Sequence, residues 1–369
     1  MSNIVDKIQN DNIKNYFVHG AVLIDVDGAS LNNWGSDATN TQGMENTSAV
    51  KKVFKNGRMY AVVSGQAWRY WWRETLGLNG WKLSPVTRDK KVAFTEANPL
   101  EYADDDIFGY MRASKDEVKD KNGEVVKDKK GKPKKVDVTV TRVSPLKNSI
   151  LTSVTSIDKK ALNEFSTMAR QDGDAVPYEK QSYSAVLKGM FSLDLDQVGT
   201  FTKVNRSGFK NVTDITYNKV LENGSEVDDL INPDIKRARL DNSIRRQRAK
   251  DTILALKTIA GGAKRTTNYA SVKPDFIILS VLKGGNNIFD NIAVEEDGRA
   301  TLSLEALKEA IADNKDYFRS DVYIGKATGF MDEVSLSLID DEIERIKIHK
   351  GSINQTIDDF SEVLDRVII

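Results

Sequence analysis

An α+β fold, with two helices packed on one face of an antiparallel sheet, is what this 369-residue sequence predicts, and three observations carry the prediction. Two stretches, "VHGAVLIDVDG" and "LKGMFSLDLDQVG", alternate apolar with small or polar residues at the period of a strand. A third, "DFIILSVLKGG", is an unbroken apolar run of the kind that forms a strand buried on both faces. Two further stretches, around Trp68 to Thr75 and around Ala249 to Ala260, carry apolar residues at helical spacing instead.

Taken in order, the first strand has Val18, Val22, Ile24 and Val26 on alternate positions and runs into the Asp27-Gly28 turn signal. The residues from Ala29 to Asn46 are rich in Gly, Asn, Ser and Thr and predict a long loop. A helix follows, with Ser64 as its N-cap, Trp68, Trp71, Trp72 and Thr75 on one face, Gln66, Arg69, Tyr70 and Arg73 on another, and Gly77 as its end. The four-residue spacing of Trp68 and Trp72 makes a stripe that anchors the helix in the core. From Lys115 to Lys135 almost no apolar residue occurs, which predicts an inserted loop or hairpin tip. Val136, Val138 and Val140 then alternate with polar neighbours up to Pro145. Polar and turn residues from 163 to 183 predict a projecting excursion, and Leu187, Phe191, Leu193 and Leu195 alternate after it. The segment "NPDIKRARLDNSIRRQRAKDTILALKTIAGG", with apolar residues at Ala249, Ile253, Leu256 and Ala260, predicts the longest helix, basic on its remaining surface and stopped by Gly261-Gly262. The buried strand, a helix in "SLEALKEAIADNKDYF", a short strand in "DVYIGKA" and an acidic helical tail over 331–369 complete the chain. This order fits a single ferredoxin-like sandwich with insertions rather than separate domains.

Composition narrows the function classes. No cysteine is present, so disulfides, zinc-thiolate sites and cysteine nucleophiles are excluded, and the two histidines, His19 and His349, argue against a triad hydrolase or a histidine metal centre. No apolar run approaches the roughly 18 residues of a membrane helix, and the start shows no secretion leader, so a cytoplasmic protein without membrane partners is expected. The formal net charge is zero, but the signs are segregated. Between Lys236 and Arg265 lie ten Lys or Arg against two Asp, and from Met331 onward ten acidic residues stand against four basic. Such a run is either a solvated helix face or a surface for a phosphate backbone.

Four places suit phosphate or base contact. Ser64, Gln66, Arg69 and Arg73 combine a helix N-terminus with guanidinium forks that match phosphate oxygens. Arg142 and Lys147 flank a Pro-terminated strand end, which also reads as a plain surface turn. In "GGAKRTT", two glycines permit close backbone approach while Lys264, Arg265 and Thr266 supply donors, without the spacing of a P-loop. Arg170 and Lys180 ride on the excursion, whose other reading is a disordered loop. Asp25 and Asp27 are candidate Mg²⁺ ligands for phosphodiester cleavage, although Asp-x-Asp-Gly is also a common strand-ending turn; Asp104 to Asp106 are adjacent and point apart.

The blocks "VHGAVLIDVDGASLNN", "VSGQAWRYWWRETL", "FTEANPLEYADDDIFGYMRA", "TRVSPLKNS", "LKGMFSLDLDQVGTF" and "GGAKRTTNYASVKPDFIILSVLKGGNN", in this order and spacing, resemble the repeated backbone subunit of type I CRISPR Cascade, specifically the DevR subfamily of type I-B systems. The resemblance runs from about residue 17 to about residue 290. It implies a modified RNA-recognition (RRM/ferredoxin-like) palm with a finger insertion at 100–150 and a thumb β-hairpin at 163–183, stacking helically with copies of itself along the CRISPR RNA in antiviral defence. The implied partners are the crRNA, a target DNA strand paired through the guide, and other Cascade subunits; no enzyme activity, cofactor or metal is implied. Ser64, Gln66 and Arg69 match the family's RNA-gripping helix start, and Asn32 and Asn33, after Leu31, match the stretch that lies against the guide. The sequence lacks the aromatic strand motif of ordinary RNA-recognition domains, so contact is expected to be with backbone rather than bases. The alternative from the enzyme class is a metal-dependent nuclease using Asp25 or Asp27, as related type III backbone subunits use an aspartate in a comparable loop. A third reading is a polymer that forms without nucleic acid.

Overall fold

The computed structural model describes residues 7–9, 11–32, 47–89, 92–113, 115–117, 131–133, 135–137, 139–158, 161–168, 174, 176–205 and 210–369. Its centre is strand β1 (Tyr16–Ala29), paired antiparallel on one side with β7 (Val176–Asp194) and on the other with β11 (Phe276–Lys283), so that Ala21 lies between Met190 and Ile278. Around this trio the described residues build a twelve-stranded mixed sheet. One wing adds β5 (Leu151–Ser153), β3 (Arg58–Val63) and β2 (Lys52–Lys55); the other adds β12 (Val322–Lys326), β14 (Ile346–Gly351) and β13 (Glu342–Ile343). Three strands pair with β7 off this path: β4 (Leu146–Asn148) at its C-terminal half, β6 (Ala161–Met168) at its N-terminal half, and the two-residue strand Thr47–Ser48 against Glu179 and Lys180.

Strand alternation sends β1 into two cores. Val18, Val22 and Ile24 pack on one face with Trp68, Trp72, Phe191, Ile253 and Phe360, while Ala21 and Leu23 pack on the other with Phe276, Ile278, Ile311 and Phe318. The unbroken apolar run of β11 is buried on both faces for the same reason. Helices cover both sides: α1 (Gly65–Leu78), α4 (Asn242–Leu254) and α6 (Ile353–Val367) lie on the first core, and α5 (Leu304–Asp313) on the second. The expectation of an antiparallel sheet with helices on one face is thus corrected to a mixed sheet covered on two. The parallel strand pairs among the described residues are β12 with β14 and Thr47–Ser48 with β7.

Four local expectations also change. Residues 236–240 are not helix but strand β10 (Lys236–Leu240), antiparallel to β9 (Gly224–Asp228), and Asp241 caps α4 by accepting from the Ser243 amide. With β8 (Thr200–Phe201) and α3 (Asp214–Glu222) these strands form a small satellite unit around Phe201, Tyr217, Val220 and Ala238. The longest described helix is α6, of 15 residues, not α4 of 13. Residues 331–369 are no appended tail: β14 extends the sheet, and α6 buries Ile357, Phe360 and Leu364 at the helical period while its acids face outward. Gly77 lies within α1 rather than ending it; a Cβ there would come within 2.6 Å of Leu83, and the left-handed turn falls at Gly80, φ 106°.

The excursion read at 163–183 is an antiparallel hairpin of β6 and β7, pairing Ala161 with Tyr183 and Met168 with Val176. The inserted segment at 115–135 begins and ends as a second pair, Lys115–Glu117 with Lys135–Asp137. Residues 118–130, its tip, lie outside the described residues.

Candidate nucleic-acid interface

Helix α1 is positioned as its sequence predicts. The Ser64 hydroxyl accepts from the Ala67 amide at 3.2 Å, and Trp68, Trp71 and Trp72 are buried, with the Trp72 indole N–H donating to the Thr252 carbonyl at 2.7 Å. Trp68 and Trp72 also meet the Phe191 ring edge-on, which ties α1 to the C-terminal part of β7. Gln66 remains exposed.

The arginines on the other face of α1 do not point freely outward. Arg69 donates to the Leu146 carbonyl (2.6 Å), Asn148 Oδ1 (3.0 Å), the Phe108 carbonyl (3.0 Å) and Ser144 Oγ (2.8 Å), and burial lowers its pKa. Arg73 grips Asp104 (Nε to Oδ2, 2.8 Å) and the Ser84 carbonyl (2.9 Å). Arg142, expected at a surface strand end, is 3% exposed. Its guanidinium lies over the Phe201 ring at 4.4 Å, binds the Asp106 carboxylate, and donates to the carbonyls of Asp106, Gln197 and Thr200. Contact with an external phosphate would break bonds inside the protein, so these three cations are posts that hold α1 and the satellite unit.

The adjacent aspartates that sequence reading left unassigned are the other half of this network. Asp104, Asp105 and Asp106 are buried on the short helix α2 (Ala103–Phe108). Asp106 binds Arg142, Arg248 (2.7 Å) and the Gly199 amide (2.9 Å). Asp196 similarly takes Arg237 (2.6 Å) and Arg239. Arg245 has three oxygen acceptors, the Val198 and Leu195 carbonyls and Asn242 Oδ1, and burial brings its pKa down to about 10. Sequence alone gives no signal for such pairs beyond an excess of arginine beside apolar helix positions.

A different set gathers where β1 ends. The loop after Gly261-Gly262 is clipped to β1 twice, by the Ala263 amide on the Leu31 carbonyl (2.9 Å) and by Asn268 Nδ2 on the Gly28 carbonyl (3.0 Å). The glycines are needed for contact: a Cβ at Gly261 would stand 2.1 Å from the Trp71 ring, and one at Gly262 would stand 2.8 Å from Leu31. The clip leaves Arg265 and Thr266 exposed and Lys264 half-buried. Burial and the nearby Lys180 lower the Lys264 pKa, and Glu164 opposes them, so the loop lies beside the β6–β7 hairpin, where Lys180 pairs with Glu164 at 2.9 Å. Among the described residues neither Lys264 nor Arg265 forms an ion pair. Asn32 donates to the Val62 carbonyl at 2.9 Å, joining this corner to the strand that leads into Ser64, and its Oδ1 is buried without a partner.

Asn32, Lys264, Arg265 and Thr266 are therefore connected, and Asn32 leads through Val62 to the start of α1, which Lys147 borders from β4, its neighbour Asn148 donating to the Gly65 carbonyl at 3.1 Å. Lys147 is exposed with its ammonium 5.3 Å from the Phe17 ring, at the other end of β1. At strand rise, the eleven steps from Phe17 to Gly28 span roughly 35 Å. Asn33 and Arg170 lie outside the described residues. Asp25 and Asp27 are exposed near the end of β1; Ser184 Oγ donates to Asp27, the Asp25 amide donates to Asp275 Oδ2 at 2.8 Å, and burial followed by Asp27 raises the Asp25 pKa. Among the described residues no group of three or more His, Cys, Asp or Glu side chains could hold a metal ion, and no helix is long and apolar enough to cross a membrane.

Residues 20–297 match the family described as CRISPR-associated negative auto-regulator DevR/Csa2. Among solved structures, a chain of a "CRISPR RNA-guided surveillance complex, pre-nicking" is similar with TM-score 0.51 and 11% identity over 94% of this chain and 100% of that one. A chain of a "CRISPR RNA-guided surveillance complex" is similar with TM-score 0.47 and 10% identity, covering 94% and 98%. At such identities the likeness is one of fold. No curated protein sequence matches the chain.

Proposed function

The chain belongs to the DevR/Csa2 family, and from that premise we propose that it is a non-enzymatic, crRNA-binding backbone subunit of a type I-B Cascade effector. Copies stack helically along the guide and present it to target DNA. The family match over residues 20–297 carries this reading. In it the mixed sheet with α1 and α4 is the palm, the β6–β7 hairpin the thumb, and the pair Lys115–Glu117 with Lys135–Asp137 the base of the finger.

The geometry supports a division of labour among the candidate residues. Lys264 and Arg265, in the loop clipped to the end of β1 beside the hairpin, supply cations that form no ion pair among the described residues, Thr266 adds a hydroxyl, and Asn32, Ser64 and Gln66 continue that corner toward the N-terminus of α1. Asn33 and Arg170 are further RNA contacts in this reading. Lys147 meets the strand beside the start of α1, and Arg69, Arg73 and Arg142 keep the platform in shape rather than touch phosphate. Lys, Arg and backbone amides read the sugar-phosphate chain without regard to base, which suits a subunit whose sequence specificity comes from guide pairing.

The test is to express the chain with a CRISPR array, purify it and extract bound nucleic acid. Wild type should carry small RNA of guide length. Lys264→Glu with Arg265→Glu should lower retention and reduce the slope of log K against log salt by about 1.4, two contacts at ~0.7 each, with the melting curve unchanged. Wild type free of RNA, or a double variant retaining it fully, would overturn the reading.

A further inference from the structure

The corner assigned to RNA contains an aromatic residue that the backbone-only expectation leaves unused. Tyr269 is 74% exposed, one residue beyond the anchor that Asn268 makes to Gly28. The turn before it is closed twice, with the Thr267 and Asn268 amides donating to the Lys264 carbonyl at 3.0 and 2.8 Å, and Lys264 itself takes a left-handed φ of 52°. The loop is therefore a fixed support. The Arg265 guanidinium lies 5.6 Å from the Tyr269 ring centroid. A cation against the ring limits its rotation, and the large exposure leaves room for a second flat group.

We propose that Tyr269 is a stacking platform for an unpaired nucleobase, with Arg265 orienting the ring and Lys264 and Thr266 taking the neighbouring phosphates. The inference rests on the guide-RNA reading and adds to it a contact with base rather than backbone. It leaves sequence indifference intact, because every base offers a π face.

The experiment uses the full chain and two fluorescent probes, a short oligoadenylate RNA and a ribose-phosphate strand of equal length lacking bases, with affinity read by anisotropy. Tyr269→Ala should weaken oligoadenylate binding about 5- to 100-fold and leave the abasic strand unaffected, while Tyr269→Trp retains wild-type affinity. Equal loss on both probes would show that the ring only shapes the loop, and would overturn stacking. Unchanged oligoadenylate binding by Tyr269→Ala, with loss in the Lys264→Glu and Arg265→Glu variant, would overturn stacking while leaving the RNA reading in place. Failure of wild type to bind either probe would overturn both.

Discussion

The basic segment from Lys236 to Lys257 and the short loop from Ala263 to Tyr269 look alike on a charge count and differ entirely in the fold. In the first, Arg237, Arg245 and Arg248 are buried, Arg239 joins Asp196, Arg246 donates to the Ile368 carbonyl, and Lys236 pairs with Asp228. Lys250 reaches Glu362 and Asp365, both at 2.9 Å, and Lys257 reaches Asp358 at 2.7 Å, all on α6. Much of this basic segment is thus paired within one molecule, its arginines with Asp106, Asp196 and carbonyls, and Lys250 and Lys257 with acids of α6. In the second region Lys264 and Arg265 form no ion pair among the described residues. A phosphate chain responds to the cations that folding leaves over, not to those the sequence contains.

The sharpest way to break this contrast is at Asp106. Asp106→Ala strands Arg142 and Arg248 in the interior, and should cost about 3–5 kcal/mol in denaturant unfolding, whereas the Lys264 and Arg265 reversals should leave the same midpoint unmoved. Equal stability of all three proteins would mean that the buried network is not structural.

Acidity sharpens the same point. Asp194, at the end of β7, accepts from the Gln197 amide at 3.2 Å, and burial, reinforced by Asp196 and opposed by Lys147, pushes its pKa from 3.8 up to about 6. An acid raised in this way holds its proton more tightly folded than unfolded. Its ionisation therefore removes stability as pH rises from about 4 through about 6, with no further loss above. Melting temperatures across that window should fall less in Asp194→Asn than in wild type; parallel curves would exclude the residue as the source.

A smaller effect is expected at the paired lysines. Lys250→Glu with Lys257→Glu replaces exposed attractions with repulsions and should cost about 1 kcal/mol, with RNA retention unchanged. Loss of RNA in that variant would place a contact on α4 and erase the contrast. Smallest of all, Arg345→Gly relieves a left-handed residue, φ 69°, in the tight turn between β13 and β14, and should raise stability by about 1 kcal/mol in thermal melts without touching RNA.

Much of the scaffold was legible because side-chain period is a local property of the backbone. The alternation of Val18, Val22 and Ile24, the all-apolar β11, the Ser64 cap and the Trp68–Trp72 stripe each state their own environment within a few residues. The site was only partly legible. The glycines and donors of "GGAKRTT" were visible, but Arg142 was misplaced, since nothing adjacent announces Asp106, and Tyr269 was passed over, since exposure is not written in a tyrosine's neighbours.

By itself, then, the order of residues determined which segments become strands and helices and which of their faces turn inward. Only the tertiary structure decided which charges survive to meet a ligand. An ion pair needs proximity in space, and here Arg248 finds Asp106 across 142 positions and Lys250 finds Glu362 across 112. Coulomb attraction acts through those few ångströms, whereas sequence records only the distance along the chain.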